Sequence, residues 1–195
     1  LIISDASIEN LDTLACLREI QGSFELEHND RLTSVVGLRS LERIGGNLEL
    51  ESSPLETLRG LDNLRVVNGT LTIILPDLHT LAALNRLETL EGSLKLSYLA
   101  SLPSIDGFIR LDRIGGQLSI NFNDHLLHLD GFRSLERIED ALSIRWNDTL
   151  NTLSGLRNLR FVGRRIQIGE NPRLPTCDAE RLRDILVSRG HDQFL

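Results

Sequence analysis

Two pairs of glutamates, Glu25 and Glu27, then Glu49 and Glu51, recur 24 residues apart. Paired carboxylates are the equipment of glycoside hydrolysis, and stacked ones also suit a cationic ligand or ion. No basic catalytic partner is expected near these four on the same face, so an enzyme is not expected. A cation-relieved ladder and plain solvated side chains both fit the pattern. A second series, Tyr98, Phe122 and Trp146, has the same interval of 24 and contains the chain's only Tyr and only Trp. Aromatic residues in a row serve protein or sugar contacts when exposed. Other chemistry is scattered. His28, His79, His125, His128 and His191 lack Cys or His partners at zinc spacing. The Gly pairs at 45–46 and 115–116 do not form a phosphate loop. Asp30, Asp124 and Asp148 follow asparagines, as turns require. The expectation is no catalytic residue, no cofactor and no metal.

The interval of 24 belongs to the whole chain, not to these residues alone. Coils begin at Gly22, Gly46, Gly69, Gly92, Gly116, Asp140 and Arg164, with a partial coil before them in which Leu1 and Ile3 take the strand positions. Well-formed units read GGNLELESSPLETLRGLDNLRVVN and GGQLSINFNDHLLHLDGFRSLERIE, giving the pattern G-x-L-x-I-x-x-N-x-x-L-x-x-L-x-G-L-x-x-L-x-x-I. L-x-I has period two, so one face of a short strand points inward. L-x-x-L-x-G-L forms a second side and L-x-x-I a third. One coil cannot bury its own aliphatic face, but stacked coils can, in parallel ladders about 4.8 Å apart. The fold class expected is mainly β: a single-stranded, right-handed parallel β-solenoid of 23–24-residue leucine-rich coils over residues 1–174.

Asn29, Asn123, Asn147 and Asn171 form a column expected to point inward and bond backbone at the turn, the alternative being a ligand-facing ladder. The shorter coils lose a residue there, which leaves Ser53 and Pro76 at the corner, and coil four has Leu99. After Asn171 the spacing of Ala179, Leu182, Ile185 and Leu186 is helical. Residues 175–190 are therefore expected to form a capping helix, with Thr176 as N-cap, Asp178 and Glu180 in the first turn and Gly190 at its end, and 191–195 a tail.

Composition narrows the partners. Net charge is −7, which argues against nucleic acid and against anionic lipid. Residues 1–60 hold 11 acids and 5 arginines, so a basic partner could be steered to that end, although solubility alone would also explain the bias. No apolar run is long enough to span a bilayer. The chain opens within a repeat and has no Met, so a fragment of a longer protein is expected. Of the two N-x-[ST] tripeptides, Asn68-Gly-Thr70 lies at a coil junction and Asn147-Asp-Thr149 in the Asn column, where it is a poor acceptor.

GLRSLERIGGNLEL and GFRSLERIEDALSIRWNDTLNTLSGLRNL resemble the receptor L-domain repeat of insulin-receptor and epidermal-growth-factor-receptor types and of bacterial and fungal surface proteins. NPRLPTC followed by a helix resembles an ending of bacterial members. The resemblance implies display outside the cytoplasm, at the cell surface, and binding of a protein or peptide on a sheet face. The cysteines depart from it. Receptor L domains are usually stapled, whereas Cys16 and Cys177 lie about seven coils apart, roughly 33 Å at strand spacing, and cannot pair with each other. For Cys177 a buried thiol or a bond to a residue outside this chain is expected.

The outward columns beside each L-x-I strand locate the candidate contacts. The last column reads His28, Ser52, Leu75, Tyr98, Phe122, Trp146 and Glu170, with Ile74 and Arg145 adjoining. Either the rings stand in solvent as a contact row, or they fold inward and plug the corner. The candidate ligand-binding residues are Ile74, Leu75, Tyr98, Phe122, Trp146 and Arg145. The partner expected is a protein or peptide. A carbohydrate ligand, a structural spacer and a homodimer remain alternatives.

Overall fold

The computed structural model describes residues 1–5 and 7–188. The chain winds into a parallel β-solenoid. The L-x-I segments form an eight-stranded sheet, starting at Ile2–Ser4 and continuing through Phe24–Glu27, Leu48–Glu51, Leu71–Ile74, Leu94–Ser97, Leu118–Asn121, Leu142–Arg145 and Ile166–Gly169. Each strand pairs with the strand one coil away, in register. Leu26, Leu50, Ile73, Leu96, Ile120 and Ile144 therefore stand in one column. The L-x-x-I segments make a second, seven-stranded sheet of two-residue strands, from Glu19–Ile20 to Phe161–Val162. The side between them carries short 3-10 turns, such as Val36–Leu38 and Ser154–Leu156.

The core is the sum of the aliphatic columns. In coil two Leu48, Leu50, Leu55, Leu58, Leu61, Leu64 and Val67 are all fully buried. Each contributes roughly 1.5–3 kcal/mol on leaving water. Phe108 and Phe132 replace Leu in one column and stack inside at 5.7 Å. The Gly before that column is set by close approach. A Cβ on Gly155 would lie 1.9 Å from the Leu129 carbonyl oxygen of the preceding coil.

The Asn column points inward. The Asn147 amide nitrogen donates to the Ile120 and Arg145 carbonyl oxygens at 3.0 and 3.1 Å, and its oxygen accepts from the backbone N–H and the amide of Asn123. Asn171 repeats the pattern one coil on. Asn147 is fully buried, which closes it as a glycosylation acceptor, whereas Asn68 is half-buried.

The two shorter coils differ in where they lose their residue. In coil two the loss comes after Ser53, which stays in the buried corner. In coil three it comes earlier: Leu75, not Pro76, fills the corner, and its side chain is fully buried. Leu99 does the same in coil four.

The C-terminal helix spans Thr176–Val187. Pro175 takes the N-cap position and Thr176 the first helical one, which corrects the expected cap. Asp178 turns its carboxylate to the solenoid, accepting from the Thr152 hydroxyl and the Leu153 N–H at 2.9 and 3.0 Å. Leu182 and Leu186 cover the end of the core. Gly190, His191 and the tail 191–195 lie outside the described residues. Among those described, no helix is long and apolar enough to cross a membrane. Cys16 and Cys177 are both free and both exposed, so Cys177 is not the buried thiol expected.

Candidate functional site

A left-handed backbone turn after every long strand but that of coil three builds the outer column. His28, Ser52, Tyr98, Phe122, Trp146 and Glu170 all have φ between 48° and 60°. That conformation throws the side chain outward while the next residue, such as Asn123 or Asn147, turns in. It costs roughly 1–2 kcal/mol in a non-glycine residue, yet three of these positions hold aromatics where Gly or Asn would sit more easily.

The rings stand outside. Tyr98, Phe122 and Trp146 are 54, 38 and 37% exposed. Tyr98 and Phe122 stack at 5.1 Å with planes 3° apart, and Phe122 and Trp146 at 4.6 Å and 5°. Both separations match the strand repeat of about 4.8 Å, so the backbone register sets the ladder. Arg145 places its guanidinium carbon 3.9 Å from the Trp146 centroid. Phe122 covers one face of that indole, so the guanidinium caps the other. Beside the ladder lies a flat polar floor. The Asn121 amide donates to the Ser119 hydroxyl, and its oxygen accepts from the Ser143 hydroxyl and the Arg145 N–H.

The expected contacts do not all survive. Tyr98, Phe122, Trp146 and Arg145 form one continuous surface. Ile74 is half-buried in the outward column of coil three. Leu75 does not belong to the row, because its side chain fills the inner corner. Coil three has no left-handed residue there, and the outer column is interrupted between Ser52 and Tyr98.

Toward the N-terminal end the same face becomes acidic. Glu25 is in register with Glu49 and Glu27 with Glu51. Burial, with Glu27 and Glu49 adding repulsion, pushes the Glu51 carboxyl above its ordinary value. His28 and Lys95 pull it back. Glu51 thus has basic neighbours on a face where no basic partner was expected nearby. The opposite face is different. On the short sheet Arg113 meets Glu91 and Glu139 at 2.9 Å each, Arg137 meets Glu139 at 3.2 Å, and Glu88 is shared by Arg65 and Arg110. That face neutralises itself. Among the described residues no group of three or more His, Cys, Asp or Glu is placed to hold a metal ion.

Comparison of the chain with protein-family models, with curated proteins and with solved structures gives no match.

Proposed function

We propose that this solenoid is a non-enzymatic recognition module that binds a protein or peptide on its long-sheet face, with Tyr98, Phe122, Trp146, Arg145 and Ile74 as contacts. The exposed, stacked aromatic ladder carries the reading. Three large rings in a row are held in left-handed turns that do not favour them, beside a polar floor and an acidic patch without full countercharge. Such a surface has the anchors and rim of a protein contact. Among the described residues the self-neutralised short-sheet face has a single exposed ring, Phe161, under Arg137, and no ladder.

Ring geometry favours a peptide over a polysaccharide. Sugars pack on ring faces, whereas the ladder spends its internal faces on one another, covers the Trp146 end with Arg145 and presents edges everywhere but at the Tyr98 end. The resemblance of the coils to receptor L-domain repeats supports the same reading, and with it a place at the cell surface.

The test is a peptide-display selection against the 195-residue chain, with the variant Tyr98→Ser/Phe122→Ser/Trp146→Ser as counter-selection. Peptides that bind the native ladder and not the variant are expected. No enrichment, or enrichment indifferent to the variant, contradicts the proposal. A reducing-end assay on polysaccharides is expected to stay flat.

A further inference from the structure

The aromatic ladder is closed at one end and open at the other. Trp146 is capped by the guanidinium of Arg145. Tyr98 is the other end. Phe122 covers the face of Tyr98 toward coil five. The face toward coil three meets no side chain from the outer column, because coil three lacks that residue and turns Leu75 inward. Tyr98 is accordingly the most exposed ring of the three. Ser52, the next residue in the column, is two strand spacings away, about 9.6 Å. Contact distances of about 3.5–4.0 Å on each face leave room for one planar group, a slot at the level of coil three, whose outward residue Ile74 is in register with Glu51.

The geometry points to this slot as a binding site for an arginine side chain of a partner peptide. A planar guanidinium continues the ladder by one rung, as Arg145 does at the far end. It stacks on a phenol face better than an ammonium does. The charge fits as well. Glu25, Glu27, Glu49 and Glu51 outnumber Lys95, the chain's only lysine, on this part of the face. A cation beside Glu51 would relieve the repulsion from Glu27 and Glu49. The inference rests on the peptide-binding reading and specifies what that peptide presents.

Tyr98 is the only tyrosine, so 3-fluorotyrosine labels the slot alone. The chain so labelled is titrated with acetyl-Gly-Arg-Gly-Arg-Gly-Arg-amide and with its lysine counterpart, which has the same charge. A saturable fluorine shift is expected for the arginine peptide, with the lysine peptide binding at least about threefold more weakly. Glu51→Gln is expected to weaken the arginine response about threefold. Ile74→Arg, which puts a guanidinium of the chain itself in the slot, is expected to shift the signal without peptide and to abolish the response. Equal responses to the two peptides, indifference to both substitutions, or a signal that depends only on protein concentration, as a second copy in the slot would give, each overturn the inference. The two readings fail separately. Display-selected peptides that need the ladder but leave the Tyr98 signal unmoved remove the slot and keep the recognition surface.

Discussion

Arg145 and Trp146 are neighbours in the chain, and the guanidinium carbon of the first lies 3.9 Å from the ring centroid of the second, on the indole face that Phe122 leaves open. Removing the cap should uncover the outer indole face. Arg145→Ala is expected to raise the acrylamide quenching constant of Trp146, the chain's only tryptophan, and to cost about 0.5–1 kcal/mol of stability. Unchanged quenching would mean that the guanidinium does not cover the ring in solution.

The inward asparagines tie successive coils together. Asn147→Ala removes two donors to buried carbonyl oxygens and the acceptor used by Asn123. Buried groups left without partners cost about 1–3 kcal/mol each. Denaturant unfolding is therefore expected to show a loss of at least about 2 kcal/mol, with no change in ligand contacts on the outer face.

The repeat was legible because each feature is a spacing. The eight-stranded sheet, its register and the inward Asn column follow from positions that recur, and the terminal helix from the change to helical spacing after Asn171. What was not legible depends on single residues. A coil shortened by one can lose the residue before or after the corner, and the spacing from strand to loop leucine is the same either way. Coil two loses it after Ser53 and coil three before Leu75, so aligning both at one place put Leu75 in the outer row. The aliphatic corner residue Leu99 in coil four was the signal that Leu75 could fill a corner too. The direction of the rings was equally hidden. It depends on a left-handed φ at Tyr98, Phe122 and Trp146, residue types that seldom adopt it. The basic neighbours of Glu51 stand on flanking columns, His28 one coil before it and Lys95 two coils after, which a carboxylate pattern alone does not display.

The glycine before the loop leucine should be intolerant where the preceding backbone is close. A Cβ at Gly155 would meet the Leu129 carbonyl oxygen at 1.9 Å, and nothing lies within 4 Å of one at Gly22. Gly155→Ala is expected to cost about 1–3 kcal/mol. Gly22→Ala is expected to be neutral within about 0.5 kcal/mol. Thermal melts of the two variants check the contrast.

Two glutamates should give opposite pH responses. The folded-state carboxyl of Glu51 is raised, by burial first and then by Glu27 and Glu49, so the folded chain holds that proton more tightly than the unfolded one. Its contribution to stability is greatest below the ordinary carboxylate value and falls as pH rises through the raised folded value. Glu51→Gln should therefore raise the melting temperature at pH 7, and the gain should vanish in acid. Glu139 is lowered, by its hydrogen bonds to Arg113 and then Arg137. Its contribution is present above the ordinary value and is lost as pH falls through the depressed one. Glu139→Gln should lower the melting temperature slightly at pH 7 and do so less at high salt. Melting curves from acid to neutral pH, with and without salt, separate the two.

The recognition surface itself is tested most directly by calorimetry with a display-selected peptide on three proteins: the native chain, Phe122→Ser in the middle of the ladder, and Arg157→Ser, an exposed control away from the long-sheet face. Phe122→Ser is expected to weaken binding at least tenfold, the scale of about 1.4 kcal/mol or more that a central aromatic anchor supplies, with Arg157→Ser unchanged. Equal affinity for all three would place the contact elsewhere and contradict the assignment of the aromatic ladder as the binding surface.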